Sequence, residues 1–181
     1  MLQNRVSAPQ LTGPEPTAEQ IETIMQSALR APDHARLRPW RYLSIKGDAR
    51  ADLGKVFAES QLALKPDLTE EQQAKFQNML CRAPLVIAAI AKIEEHPKVP
   101  EIEQILSAGA GVQNMLNATW ALGLGAIWRT GDMAADQAVQ QALQLQANEQ
   151  LIGFIYIGHV NCKLKQPPVM ETAEFLTEWT L

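Results

Sequence analysis

Cysteine is nearly missing from this chain: Cys81 and Cys162 are the only two among 181 residues. Two thiols build no disulfide framework, so the reducing cytoplasm is the expected setting, with both thiols buried and chemically silent. Histidine is also scarce. His34, His96 and His159 form no helical pair and have no Cys or carboxylate neighbours at ligand spacing, which argues against a metal centre. His96 belongs to a polar loop and reads as solvated, while His159 follows a strand and stays open. Excess positive charge is absent too. A formal net charge of -4 does not suit nucleic-acid binding, which needs clustered Lys and Arg. No apolar run is long enough to span a bilayer, and the opening Met1-Leu2-Gln3-Asn4-Arg5 is too polar for a secretory signal.

Several catalytic signatures are missing as well. There is no Gly-x-x-x-x-Gly-Lys-Ser/Thr loop for nucleotide hydrolysis. Ser7, Ser27, Ser44, Ser60 and Ser107 lack the flanking glycines of a nucleophile elbow. Gly123-Leu124-Gly125 and Gly109-Ala110-Gly111 each lack the third glycine of a dinucleotide fingerprint, and both stand in the wrong order of elements. They read as a helix stop and a packing seam.

What is present fits one domain, residues 1–181. Hydrophobic residues make up 46% and charged residues 20%, enough to enclose a sizeable core. Pro9, Gly13, Pro14 and Pro16 make residues 1–16 an extended lead-in. Thr17 with Gln20 and Thr69 with Gln72 are capping-box pairs that open helices. In the first helix Ile21, Ile24, Met25, Ala28 and Leu29 form one apolar face, and Pro32 ends it. Phe76, Met79 and Leu80 are the apolar positions of the second capped helix. A further helix covers residues 49–64.

The longest helix is expected over 101–122, with Ile102, Ile105, Leu106, Val112, Met115 and Leu116 as core and Gly123 as C-cap. One more helix is expected at 134–145. Strands are expected at 42–45, 84–93, 124–128 and 151–158. The run at 84–93 is almost continuously apolar, as in a strand covered on both faces. Helices and strands in alternation imply an α+β or α/β fold with helices on a central sheet. The tail residues Phe175, Leu176, Trp179 and Leu181 have no evident place on a lone chain, so docking on a partner subunit is expected.

Two stretches carry chemistry. Residues 30–40, Arg-Ala-Pro-Asp-His-Ala-Arg-Leu-Arg-Pro-Trp, gather cationic donors and a flat aromatic corner between a helix and a strand. Charge-assisted hydrogen bonds from such donors favour phosphate or carboxylate, so the loop suits a phosphate-bearing aromatic cofactor. Trp128-Arg129-Thr130-Gly131 places an aromatic, a cation, a hydroxyl and a glycine where a short strand ends. Taken alone it is equally a buried Trp beside a surface Arg; with residues 30–40 a ligand site is favoured.

Together these segments resemble the FMN-dependent nitroreductase family, in its compact branch, over nearly the whole chain. The resemblance rests on Arg5-Val6-Ser7, Arg30-Ala31-Pro32-Asp33-His34 before Pro39-Trp40, and Arg82-Ala83-Pro84. It continues through Lys98-Val99-Pro100, Ser107-Ala108-Gly109, the run 125–131 and the run 153–158. What it implies is an α+β fold with a central mixed sheet flanked by helices, and an intertwined homodimer with C-terminal arm exchange. FMN would lie at the subunit interface.

By the same resemblance, Arg5, Val6 and Ser7 hold the FMN phosphate and ribityl chain, and Arg30 and His34 come from the other subunit. Trp128, Arg129 and Thr130 place backbone donors near the flavin N5, and Lys163 supplies a late phosphate-binding cation. Trp40 lines the acceptor side, and Leu122-Gly123 contribute to NAD(P)H binding. The implied activity is NADH- or NADPH-driven reduction of nitro-aromatic, quinone or similar electron-poor acceptors, by ping-pong hydride transfer through flavin N5. No side-chain acid or base is demanded, so no catalytic residue is assigned. The alternative is an FMN-binding carrier or redox-responsive protein with little turnover. The family's start is commonly Arg-Arg-Ser, whereas Val6 stands in the middle here. A missing guanidinium removes roughly 1.5–3 kcal/mol where it would reach the ligand.

Overall fold

A computed structural model of the chain describes residues 2–180. Met1 and Leu181 lie outside them, and with Leu181 one member of the expected apolar tail. The elements in chain order are β1 (Leu11–Thr12), α1 (Ala18–Ala28), β2 (Trp40–Lys46), α2 (Ala49–Leu64), α3 (Glu70–Gln77) and β3 (Leu85–Lys92). They continue with α4 (Glu101–Ala121), β4 (Gly125–Arg129), α5 (Gly131–Ala135), α6 (Gln137–Ala142) and β5 (Glu149–Val160).

The class is α+β, as expected. The sheet differs from the mixed one expected, because every pairing among the described residues is antiparallel. β5 pairs with β3 along one side, and with β4 and β1 along the other, while β2 forms the edge beyond β3. Residues 161–180 add no strand to this chain's own sheet.

Both capping boxes form: the Thr17 and Thr69 hydroxyls accept from the N–H of Gln20 and Gln72, whose side chains accept in return from the cap amides. β3 is buried from Leu85 to Ala91 because helices lie on both faces of the sheet. Val86, Ala88 and Ile90 point toward α2, α5 and α6, where Phe57 meets Phe154 edge-on at 5.7 Å. Leu85, Ile87 and Ala89 point toward α1 and α4, among Ile24, Val112 and Met115. Each such large side chain, fully buried, contributes about 1.5–3 kcal/mol.

Some expectations fail in instructive ways. Ile102 and Leu106, assigned to the core of α4, are 58% and 64% exposed, while Gln104 and Ser107 are buried in their stead. Gln104 accepts from the Glu94 N–H and donates to the carbonyls of Glu94 and Val99, clamping the preceding loop. Ser107 Oγ donates to the Pro32 carbonyl. The helix expected at 134–145 is broken at Asp136, whose carboxylate instead caps Val139 N–H and starts α6. Cys81 is exposed and Cys162 half-buried, not buried as expected, since the turn at Leu80–Arg82 spends its inward position on Leu80. The small-residue seam does admit close neighbours: a Cβ at Gly111 would sit 2.5 Å from Tyr42 Oη and 3.2 Å from the Ala28 carbonyl.

Candidate functional site

The basic loop after α1 is held by its own acid. Asp33 accepts from the N–H groups of Leu37 and Arg38 and from the Arg38 guanidinium at 2.6 Å. Ala35, Arg36 and Arg38 all adopt positive φ, near 53° to 59°. Left-handed backbone at three non-glycine residues costs energy that the Asp33 bonds and neighbouring packing must offset, a pattern common where a loop is shaped for a ligand. His34 Nδ1 lies 2.8 Å from Glu103 Oε2 at the start of α4. Among the described residues Arg38 and His34 therefore have partners, and Arg30 and Arg36 make no ion pair. Arg30 and Trp40 line one cavity of about 410 Å³ with Leu29 and Arg38. Arg30 also lines a second, of about 430 Å³, with Asn114, Asn117 and Leu122 between α1 and α4. Gly123 caps α4 at φ +74°, as expected, but does not line that cavity.

A second group gathers on the opposite edge of the sheet. Ala8 N–H donates to Ala126 O, laying the segment that carries Arg5, Val6 and Ser7 against the open edge of β4. Alternation along a strand puts the N–H and C=O of Trp128 on that same edge. β1 pairs Leu11 with Val160, and Asn161 N–H continues the register onto Gln10 O. Lys163, two residues further, is exposed. Arg5 and Ser7 precede Ala8 at one end of this edge, and among the described residues no hydrogen bond joins Lys163 to them. Trp128, Arg129 and Thr130 stand at the other, about 13 Å along the strand from Ala126 to Thr130.

The Trp128 indole is fixed by a bulge in β5. Between Ala89 and Ile90 the register shifts, leaving Ile152 unpaired, and Gly153 takes φ +140°. Trp128 Nε1 donates to Ile152 O at 3.0 Å, and a Cβ on Gly153 would fall 2.3 Å from that nitrogen. The far ring edge reaches Gly109 of α4. Arg129 leaves the other face, with its guanidinium 5.7 Å from the Tyr156 ring and its Nε buried without a hydrogen-bond partner. Burial raises the Tyr156 phenol above its ordinary value, and the positive charges of Arg129 and Arg82 oppose that rise.

β2 and β4 are three strand spacings apart, about 14 Å, so Trp40 and the 128–130 segment do not meet within one chain. The sequence singled out Trp128 and Arg129 but missed Gly153 and Tyr156. Gly153 lies inside an apolar strand, and nothing local pairs residue 156 with residue 129.

The sequence model described as the nitroreductase family matches residues 2–159. The Escherichia coli K12 protein named "Putative NAD(P)H nitroreductase YdjA" is 38% identical over 158 residues, covering 87% of this chain and 85% of that protein. Among solved structures, a nitroreductase-like family protein from Bacillus cereus superposes with a TM-score of 0.81 at 20% identity, covering 98% of this chain and 92% of the other. A Desulfovibrio desulfuricans structure titled as a putative nitroreductase in complex with FMN has a TM-score of 0.72 at 25% identity, covering 99% and 95%. With the family model covering most of the chain and a relative 38% identical over 158 residues, the chain belongs to the nitroreductase family.

Proposed function

We propose that this protein is an FMN-dependent oxidoreductase that uses NADH or NADPH to reduce nitro-aromatics, quinones or similar electron-poor acceptors. The observation that carries the reading is the open edge of β4. It offers the backbone of Trp128 beside Arg129, with Ala8, which follows Arg5–Ser7 in the chain, bonded to Ala126 on the same edge. An elongated molecule with an anionic end and a flat polar heterocycle matches that arrangement of donors, so the residues present fit FMN.

Arg5, Ser7 and Lys163 would hold the phosphate end, with Val6 contributing backbone. The backbone of Trp128, Arg129 and Thr130 would bond the ring. When bound, FMN supplies the two-electron chemistry between nicotinamide and acceptor. The net reaction with a quinone consumes one NAD(P)H and one proton and yields NAD(P)+ and hydroquinone. The chain's part is to bind, orient and keep positive charge near the electron-rich state.

The working unit is read as a homodimer of one-domain subunits. Arg30 and His34 of one subunit would reach the β4 edge of the other, with Trp40, Leu122 and Gly123 beside the nicotinamide and acceptor. Support comes from the apolar surface a lone chain leaves in water: Ile102 and Leu106 on α4, and Phe175, Leu176 and Trp179, all more than half exposed. The tail would then embrace the partner. Two free thiols suit the cytoplasm.

The test is anaerobic titration of the FMN-reconstituted protein with each nicotinamide, followed optically, and then addition of a nitro compound or quinone. Bleaching followed by reoxidation is expected, and Arg5→Ala should weaken FMN binding by about tenfold or more. A protein that binds FMN but resists both nicotinamides would be a carrier, the reading that Val6 favours. A stable flavin-binding monomer in gel filtration would contradict the shared site.

A further inference from the structure

Beside Arg129, on the α3 side of the sheet, lies a cavity of about 330 Å³, a volume typical of small-molecule pockets. Its walls are mostly apolar: Phe76 from α3, Met79 just past that helix, and Met133 from α5. Thr130 and exposed Asp132 stand at its border. The cation in this wall is not paired with the Asp132 carboxylate at the same border. Arg129 makes no ion pair and no hydrogen bond among the described residues, and its Nε is sealed from water. Tyr156, 2% exposed, places its ring centroid 5.7 Å from the guanidinium carbon. Arg82 is a second positive charge near the same ring.

A buried donor left unpaired costs about 1–3 kcal/mol, and native structures rarely keep one without a use. A planar guanidinium offers two parallel bonds to a carboxylate, and an aromatic ring with two thioethers suits a flat apolar body. We infer that this cavity binds a small aromatic carboxylate through Arg129, making Arg129 a specificity-determining side chain for acceptors that carry an anionic group. As a statement about acceptors it rests on the proposed function; as a statement about binding it does not.

The test uses full-length, FMN-reconstituted protein and calorimetric titration with benzoate and with its neutral counterpart benzamide. Benzoate should bind about tenfold or more tighter, the factor a charge-assisted hydrogen bond carries. R129Q should erase that preference. M79E, which sets a competing carboxylate in the cavity while Arg129 remains, should erase it too and carries the test if R129Q does not fold. Steady-state kinetics should show the same preference in KM for 4-nitrobenzoate over 4-nitrobenzamide. Equal binding of the two probes to the wild type would overturn the inference, as would a preference that survives both variants. If instead R129Q loses flavin affinity and the wild type does not discriminate, the guanidinium belongs to the cofactor and the inference falls. If benzoate is preferred but neither nicotinamide bleaches the flavin, the cavity stands and the proposed function fails.

Discussion

Replacing Gly153 by alanine should be among the most damaging single-methyl additions available in this protein. The new Cβ would lie 2.3 Å from Trp128 Nε1 and 2.8 Å from the Arg129 carbonyl, so it collides with a side chain and with backbone at once. The φ of +140° is a conformation that alanine resists, at about 1–3 kcal/mol. Overpacking adds about as much again. Displacing the indole also loses its bond to Ile152 O, worth about 1 kcal/mol. A loss of about 3–7 kcal/mol follows, a large part of the stability of an ordinary domain.

Urea unfolding at fixed protein concentration reads this as a fall in midpoint of about 1–2 M. Trp128→Ala should relieve only the side-chain collision. In a double-mutant cycle the two changes should therefore couple by more than about 1 kcal/mol, with part of the cost remaining from φ and the Arg129 carbonyl. Additive costs, or a G153A loss under about 1 kcal/mol, would refute the account of the bulge as the seat of Trp128.

Other consequences can be checked at other places in the molecule. Arg41 donates twice to Glu149, at 2.6 and 2.7 Å, and these bonds hold the Glu149 carboxyl below the usual carboxylate range. A lowered folded value means a stabilising contribution that is present above about pH 4.3, the unfolded value, and is lost as pH falls through the folded one. Glu149→Gln should lower stability at neutral pH by roughly 1–3 kcal/mol and flatten the acid limb of a stability–pH curve; an unchanged limb would contradict the clip. Burial pushes the Tyr42 phenol up to about 12. Its contribution is intact below about pH 10 and lost as pH climbs toward the folded value, so phenolate absorbance with a midpoint near 10 in the folded protein would refute that burial. Gln104→Leu strips three bonds from the loop before α4 and should cost about 2–4 kcal/mol, with faster hydrogen exchange at the Glu94 amide as the local readout.

Where a feature is local, the sequence carries it. The boxes at Thr17 and Thr69 close over three residues, and the apolar run around β3 has one sensible place, so both read correctly from composition and spacing. What fails depends on partners remote in the chain. β1 is two residues long and exists because Val160 and His159 lie opposite it, which no local pattern announces. The stripe of Ile102 and Leu106 shows that one side of α4 is apolar, but periodicity does not say whether the same chain covers it. Asp136 reads as an ordinary polar residue inside a helix until its carboxylate is seen capping the next one. The site divides along the same line. Arg5, Ser7, Arg30 and Arg129 stand out by residue type, whereas the Gly153 seat and the Tyr156 platform need the β4–β5 register to be found.

The placement of β5 has a consequence for synthesis. A chain emerging from its amino end has already produced β1, β2, β3 and β4 when residues 149–160 appear, yet only β2 and β3 can pair before then. Until that moment the Arg129 backbone has no strand beside it and the lead-in segment only the bond from Ala8 to Ala126, so this edge is completed last. Ribosome-stalled chains halted before residue 149 should therefore protect β2 and β3 from proteolysis while leaving 125–129 open to cleavage. Non-local pairing of this kind also slows folding, so the β4 edge closes late while the rest of the molecule takes shape.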